Sequence, residues 1–126
     1  MIRALVVFDN KSDNLDRLVN TLRTHGCEVK GTERTAEALG ICQQMQPDLI
    51  IYGDCQGIKA WKFAYELLKD DPQRKPYLAM VTFSPSVLQR CLCEECGFDE
   101  YIKAPIELSD LLRFVQKARD RQMFLP

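Results

Sequence analysis

Pro47-Asp48-Leu49-Ile50-Ile51-Tyr52-Gly53-Asp54 is an apolar run entered through a proline turn and left through Gly-Asp. Consecutive large apolar residues, with isoleucines and an aromatic among them, fit a strand covered on both faces, as the central strands of parallel sheets are. In open parallel sheets chemistry collects just beyond the carboxyl ends of such strands. Tyr52 to Gly57 is therefore expected to form part of any site.

The flanking sequence repeats the theme. Arg3 to Phe8 is a short β-branched run followed by Asp9-Asn10, a buried first strand ending in polar side chains. Leu15, Leu18, Val19 and Leu22 follow helical spacing, and His25-Gly26 closes that helix where a C-terminal glycine is expected. Cys27 to Thr32 holds Val29 and little else apolar, which marks an outer strand. Thr35 to Met45 is helical, with Ala38, Leu39, Ile41, Cys42 and Met45 as its apolar positions, Gln43-Gln44 turned outward and Pro47 as its stop. Ile58 to Lys69 carries Trp61, Ala64, Tyr65 and Leu68 at helical spacing and ends at Asp70-Asp71-Pro72; Tyr77 to Thr82 is the fourth strand.

Ser84-Pro85 reads as an N-cap followed by a proline in the first helical position, opening a helix to about Cys96 that Gly97 terminates. Glu100 to Ile102 is a brief fifth strand. Ile106 to about Arg121 is the last helix, with Leu108, Leu111, Leu112 and Val115 on one face and Lys117, Arg119 and Arg121 near the negative end of its dipole. Strands alternating with helices in a single domain over 1–126 predict an α/β fold; right-handed crossovers leave few ways to wind it, of which a three-layer sheet of strand order 2-1-3-4-5 is the commonest for this size.

The 126 residues carry 17 basic against 18 acidic side chains, so no electrostatic footprint points to nucleic acid or anionic lipid. The apolar run at Met1 to Phe8 is too short for a secretion signal or a membrane span, and the protein is expected in the cytoplasm. Six cysteines without an export signal are expected as reduced thiols. Met123-Phe124-Leu125-Pro126 reads as a tail or as the start of a connection to a neighbouring domain.

Read at the strand ends, the chain resembles the receiver domain of bacterial two-component response regulators over nearly its full length. Leu5-Val6-Val7-Phe8-Asp9 is similar to that family's first strand with its acidic pair, and Pro47-Asp48-Leu49-Ile50-Ile51 to the strand leading to the phosphoacceptor. Val81-Thr82 resembles the strand ending in the switch hydroxyl, and Tyr101-Ile102-Lys103-Ala104-Pro105 the aromatic, lysine and proline segment. The resemblance implies a flavodoxin-like (βα)5 fold and a phosphorelay signalling role. It also implies a degenerate, pseudo-receiver form. Phe8 stands in the acidic pair beside Asp9, Gly53 stands at the phosphoacceptor aspartate, and Ala104 stands at the lysine, while Thr82, Tyr101 and Pro105 remain. In the family a carboxylate attacks the phosphodonor while Mg²⁺ and the lysine neutralise the phosphoryl oxygens. Glycine offers no nucleophile, so neither catalysis nor a resident metal is expected.

Two near misses leave an alternative open. Asp54 follows the glycine and Lys103 precedes the alanine, and a one-residue shift in a strand turns a side chain to the opposite face unless a bulge intervenes. Gly53 permits such a bulge, so a displaced acyl-phosphate site of Asp9, Asp54 and Lys103 with Mg²⁺ is the alternative. Asp48 belongs to the opposite edge of the sheet and receives no chemistry. Cys91, Cys93 and Cys96 are too scattered on one helix to complete a zinc site, which leaves core packing or a redox thiol. His25 is expected against terminal carbonyls, and Trp61 in the core.

These residues support an interaction module that is not an enzyme. The resemblance implies signalling proteins as partners, bound through the Ser84 to Cys96 helix, the Tyr101 strand and the last helix; a homodimer is a further option, and nucleic acid and membrane are not expected. A flavodoxin-type cofactor binder is disfavoured, because Asp9-Asn10-Lys11-Ser12-Asp13 lacks glycines and puts carboxylates where a phosphate would sit.

Overall fold

A computed structural model of the chain describes residues 1–8, 13–53, 57–69 and 75–123, without the side chains of 13, 14, 57 and 58. Along the chain come β1 (Arg3–Phe8), α1 (Asp13–Thr24), β2 (Glu28–Thr32), α2 (Thr35–Met45) and β3 (Leu49–Gly53). They are followed by α3 (Gly57–Leu68), β4 (Tyr77–Thr82), α4 (Val87–Cys96), β5 (Glu100–Lys103) and α5 (Leu108–Met123). The strands pair in parallel in the order β2-β1-β3-β4-β5, the flavodoxin-like (βα)5 arrangement expected from the sequence.

Apolar patterning decides which strands are central. Every residue of β3 and β4 is buried, whereas edge strand β2 buries only Val29 and Thr32. β1 divides its side chains between the two faces. Ala4, Val6 and Phe8 join the core under α1 and α5, and Leu5 and Val7 join the core under α2, α3 and α4. A fully buried side chain of this size contributes about 1.5 to 3 kcal/mol, so both layers hold the sheet.

Two helices turn differently from the expected faces. In α3 the buried set is Ala60, Phe63 and Ala64, with Trp61 and Leu68 only partly covered and Tyr65 68% exposed. Both sets satisfy helical spacing; the observed one brings two alanines close to the sheet and sets the Phe63 ring 5.5 Å from that of Tyr52. In α5 the buried set is Leu111, Phe114, Val115 and Ala118, which leaves Leu108 and Leu112 on the surface. Phe114, fully buried, fixes that rotation.

The fourth helix starts later than expected from Ser84-Pro85. Its N-cap is Ser86, whose Oγ accepts the Gln89 N–H at 3.1 Å, and its first residue is Val87. Ser84 is engaged elsewhere, donating its N–H to Thr82 Oγ1 at 3.2 Å. Gly97 ends α4 in the left-handed region, φ 104°, with its N–H on Cys93 and Glu94 carbonyls. β5 extends one residue further than expected, to Lys103, and α5 is displaced to Leu108–Met123. Among the described residues no helix is long and apolar enough to cross a membrane.

Candidate functional site at the carboxyl ends of the strands

β1, β3 and β4 end side by side, with Phe8 paired to Gly53 and Gly53 to Val81. Phe8 is 5% exposed and lies against Gly53 so closely that a Cβ added there would sit 2.3 Å from Cε1 and 2.5 Å from Cζ of the ring. No real Cβ tolerates such an approach, so the aromatic ring takes the volume that any side chain at position 53 needs. A void of about 10 Å³ beside the ring is lined by Arg17, Leu18, Val81, Ala104, Pro105 and Ile106. That is the space of one water at most.

Ala104, at the lysine position of the resemblance, is buried in the same apolar cluster as Phe8 and Val81. Lys103 is exposed at the end of β5. Ile102 packs on the Phe8 side of the sheet and Tyr101 on the other, so alternation turns Lys103 away from Phe8 and Gly53. Asp9 and Asp54, the remaining members of the displaced site, lie outside the described residues. The Mg²⁺ of the resemblance does not fit the described walls, because the side chains of Phe8, Val81 and Ala104 carry no carboxylate or other oxygen for a hard cation. Among the described residues no cluster of three or more His, Cys, Asp or Glu is placed to hold a metal.

Thr82 and Tyr101, the switch positions that the resemblance implies, are both hydrogen-bonded to neighbouring elements. Thr82, 3% exposed, accepts Ser84 N–H on its hydroxyl and Ala104 N–H on its backbone carbonyl at 2.8 Å. The half-buried Tyr101 hydroxyl accepts Ser86 N–H at 3.0 Å and donates to Gln89 Oε1 at 3.1 Å, and the Arg90 guanidinium lies 5.6 Å from its ring centre. The aromatic side chain of β5 is thereby stitched to the first turn of α4. Pro105 is exposed, behind a cis Ala104-Pro105 peptide.

The cysteines separate: Cys91 is exposed, Cys93 is buried with its Sγ accepting the Trp61 indole N–H at 3.4 Å, and Cys96 is half-buried. Burial, then the charge of Glu95, pushes the Cys96 thiol up, away from a reactive thiolate. Cys55 lies outside the described residues. His25 faces the Thr21 carbonyl through Nδ1 at 2.9 Å, as expected at a helix end. Sequence reading missed that Phe8 fills the space above Gly53, and that Ser86 and Gln89 hold Tyr101. The signal for the first was present, a large aromatic and a glycine closing strands that pair.

No family model matches the chain. Among solved structures it is similar to a CheY-like response regulator receiver domain protein of Methanospirillum hungatei, at TM-score 0.84 and 22% identity over 98% of each chain. A response regulator receiver domain protein of Clostridium thermocellum matches at TM-score 0.86 and 22% identity over 100% of both chains. The chain has a response-regulator receiver fold. The chemotaxis protein CheY4 of Vibrio cholerae, at TM-score 0.81 and 22% identity over 94% of this chain and 98% of its own, has the same architecture. At these identities the likeness is one of fold. Within that receiver fold, the ends of β1 and β3 carry an aromatic plug and a glycine.

Proposed function

We propose that the chain is a receiver-like module of two-component phosphorelay signalling that is not phosphorylated at the usual position. It acts through protein–protein contacts and is not an enzyme. The carrying observation is the Phe8 ring pressed on Gly53, which leaves no nucleophile at position 53 and no room for a side chain there. In-line phosphoryl transfer needs an oxygen nucleophile and neutralising charge at one point. The apolar burial of Ala104 beside the ring removes the second requirement.

Signalling partners then engage α4, the β5 edge and α5, and the module works in the cytoplasm as a single domain. Support for that face comes from its exposed apolar side chains. Val87 is 81% and Leu88 71% exposed on α4, and Leu108 and Leu112 are exposed on α5. A partner that prefers one arrangement of Tyr101 and Thr82 would supply the differential affinity that phosphate supplies elsewhere.

Incubation with acetyl phosphate and Mg²⁺, followed by intact mass measurement, tests this reading. An unchanged mass is expected. A stoichiometric gain of one phosphoryl group, lost in Asp54→Ala, would replace it with a receiver that uses the displaced Asp54.

A further inference from the structure

We propose that a second copy of this chain docks over the groove between α3 and α4, in a twofold pairing that sets α3 of one copy on α4 of the other. The proposal does not depend on whether the module is phosphorylated.

The two helices lie side by side and run in the same direction. The Trp61 indole N–H reaches Cys93 Sγ at 3.4 Å, and further along Leu68 packs so closely on Gly97 that a Cβ there would meet its Cδ1 at 2.7 Å. The outer side of this helix pair carries large apolar side chains that the described chain leaves uncovered. Tyr65, 68% exposed, follows the half-buried Trp61 by one turn on α3, and Leu88, 71% exposed, precedes the half-buried Leu92 by one turn on α4. Arg90 lies over the Tyr101 ring, on the β5 side of α4. Leu88, Leu92 and Glu95, at i, i+4 and i+7, follow the opposite flank, which faces α3. Aromatic and aliphatic side chains with charge at their rim are the composition of a protein interface.

Charge selects the occupant. On α3, Glu66 is held by Lys69 at 2.7 Å, which leaves Lys62 exposed and without an ionic partner among the described residues. On α4, Arg90 is turned to Tyr101, which leaves Glu94 and Glu95 exposed and unpaired in the same sense. One wall of the groove is therefore basic and the other acidic, and the register of Trp61 with Cys93 sets Lys62 about level with Glu94. A twofold axis along the groove lays α3 of one copy over α4 of the other, so that Lys62 meets the acidic pair in both halves at once. An axis across the groove would stack α3 on α3 and α4 on α4, like charge on like. A surface complementary to itself fits a copy of itself, and opposite charges fix the register. The β5 edge and α5 lie beyond Arg90 and stay open to signalling partners.

Sedimentation equilibrium of the whole chain tests this pairing. A monomer–dimer equilibrium is expected with a midpoint on the order of 10–100 μM, the weak end of specific association. Lys62→Glu alone and Glu94→Lys/Glu95→Lys alone should each weaken it at least ~tenfold. An equimolar mixture of those two variants should regain the wild-type association, because the mixed pair meets opposite charges in both halves. Leu88→Asp should abolish association, whereas Asp16→Lys, an exposed charge change on α1 across the sheet, should leave it unchanged. A chain that stays monomeric at every concentration overturns the proposal and frees the groove for another protein. So does a dimer indifferent to the charge reversals, a loss that the mixture does not recover, or an equal response to Asp16→Lys.

Discussion

The two ends of the sheet have exchanged character. At the carboxyl ends the Phe8 ring lies on Gly53 and, with Leu18, Val81 and Ala104, lines a void of about 10 Å³, while at the amino ends Arg3, Asp48, Lys75 and Arg121 line a cavity of about 360 Å³. In parallel α/β sheets the carboxyl ends usually carry the chemistry, because helix N-termini and loops converge there. Here the described part of that end is filled like a core. The fold fixes where a site is convenient, and the side chains decide whether it exists.

The largest effect that sharpens this contrast is predicted for Phe8→Ala. Removing a buried ring from a closed cluster costs about 3 to 5 kcal/mol, read as a lower midpoint in denaturant unfolding. A loss below about 1 kcal/mol would mean that the ring is not part of the core.

Gly53→Ala comes next, because its methyl group must displace the ring. Overpacking of this kind costs roughly 1 to 3 kcal/mol. In the Phe8→Ala/Gly53→Ala double variant the two costs should fall short of additivity by at least ~1 kcal/mol, since the cavity from one accepts the methyl of the other. Strict additivity would separate the two residues and remove the plug from the account.

Smaller effects are expected away from the plug. Tyr101→Phe deletes the hydroxyl that accepts from Ser86 and donates to Gln89, at about 1 kcal/mol, with faster amide hydrogen exchange at Ser86. Unchanged exchange there would argue that α4 does not depend on β5 for its first turn.

The smallest effect belongs to the amino-terminal edge. Burial pushes the Asp99 carboxyl up, but hydrogen bonds from Arg121, Lys75 and Leu78 N–H together outweigh it and hold the group below its ordinary value of 3.8. A folded-state value below the unfolded one contributes stability that is fully present above the ordinary aspartate range. That stability is lost as pH falls through the folded value. Arg121→Gln should therefore reduce stability by up to about 1 kcal/mol near neutral pH, with the difference from wild type shrinking at the acid end. A difference that grows on acidification would reverse the sign assigned to Asp99.

That β3 and β4 are central and β2 is an edge was legible in the sequence, because the first two are continuous apolar runs and the third is not, and the strand order followed from right-handed crossovers between alternating strands and helices. Helix rotation was less so. In α3 and α5 two overlapping sets of residues satisfy the same spacing, and only the fit of Phe63 against Tyr52, or of Phe114 in its own layer, chooses between them. The start of α4 was misplaced for a similar reason, as Ser84 and Ser86 are both good caps and the bond from Ser86 N–H to Tyr101 spans 15 residues of sequence. At the site, the substitutions at positions 8, 53 and 104 were visible one by one. That the first occupies the space of the second is a three-dimensional fact, set by the pairing of β1 with β3.

The most direct test of that fact is fluorine NMR with beryllofluoride and Mg²⁺, a stable mimic of an acyl phosphate, on three proteins. The wild type and a Gly53→Asp/Ala104→Lys variant that keeps Phe8 should show no protein-bound fluorine resonance, whereas Phe8→Asp/Gly53→Asp/Ala104→Lys should show one. A bound resonance from the wild type, or from the variant that retains the ring, would contradict the account.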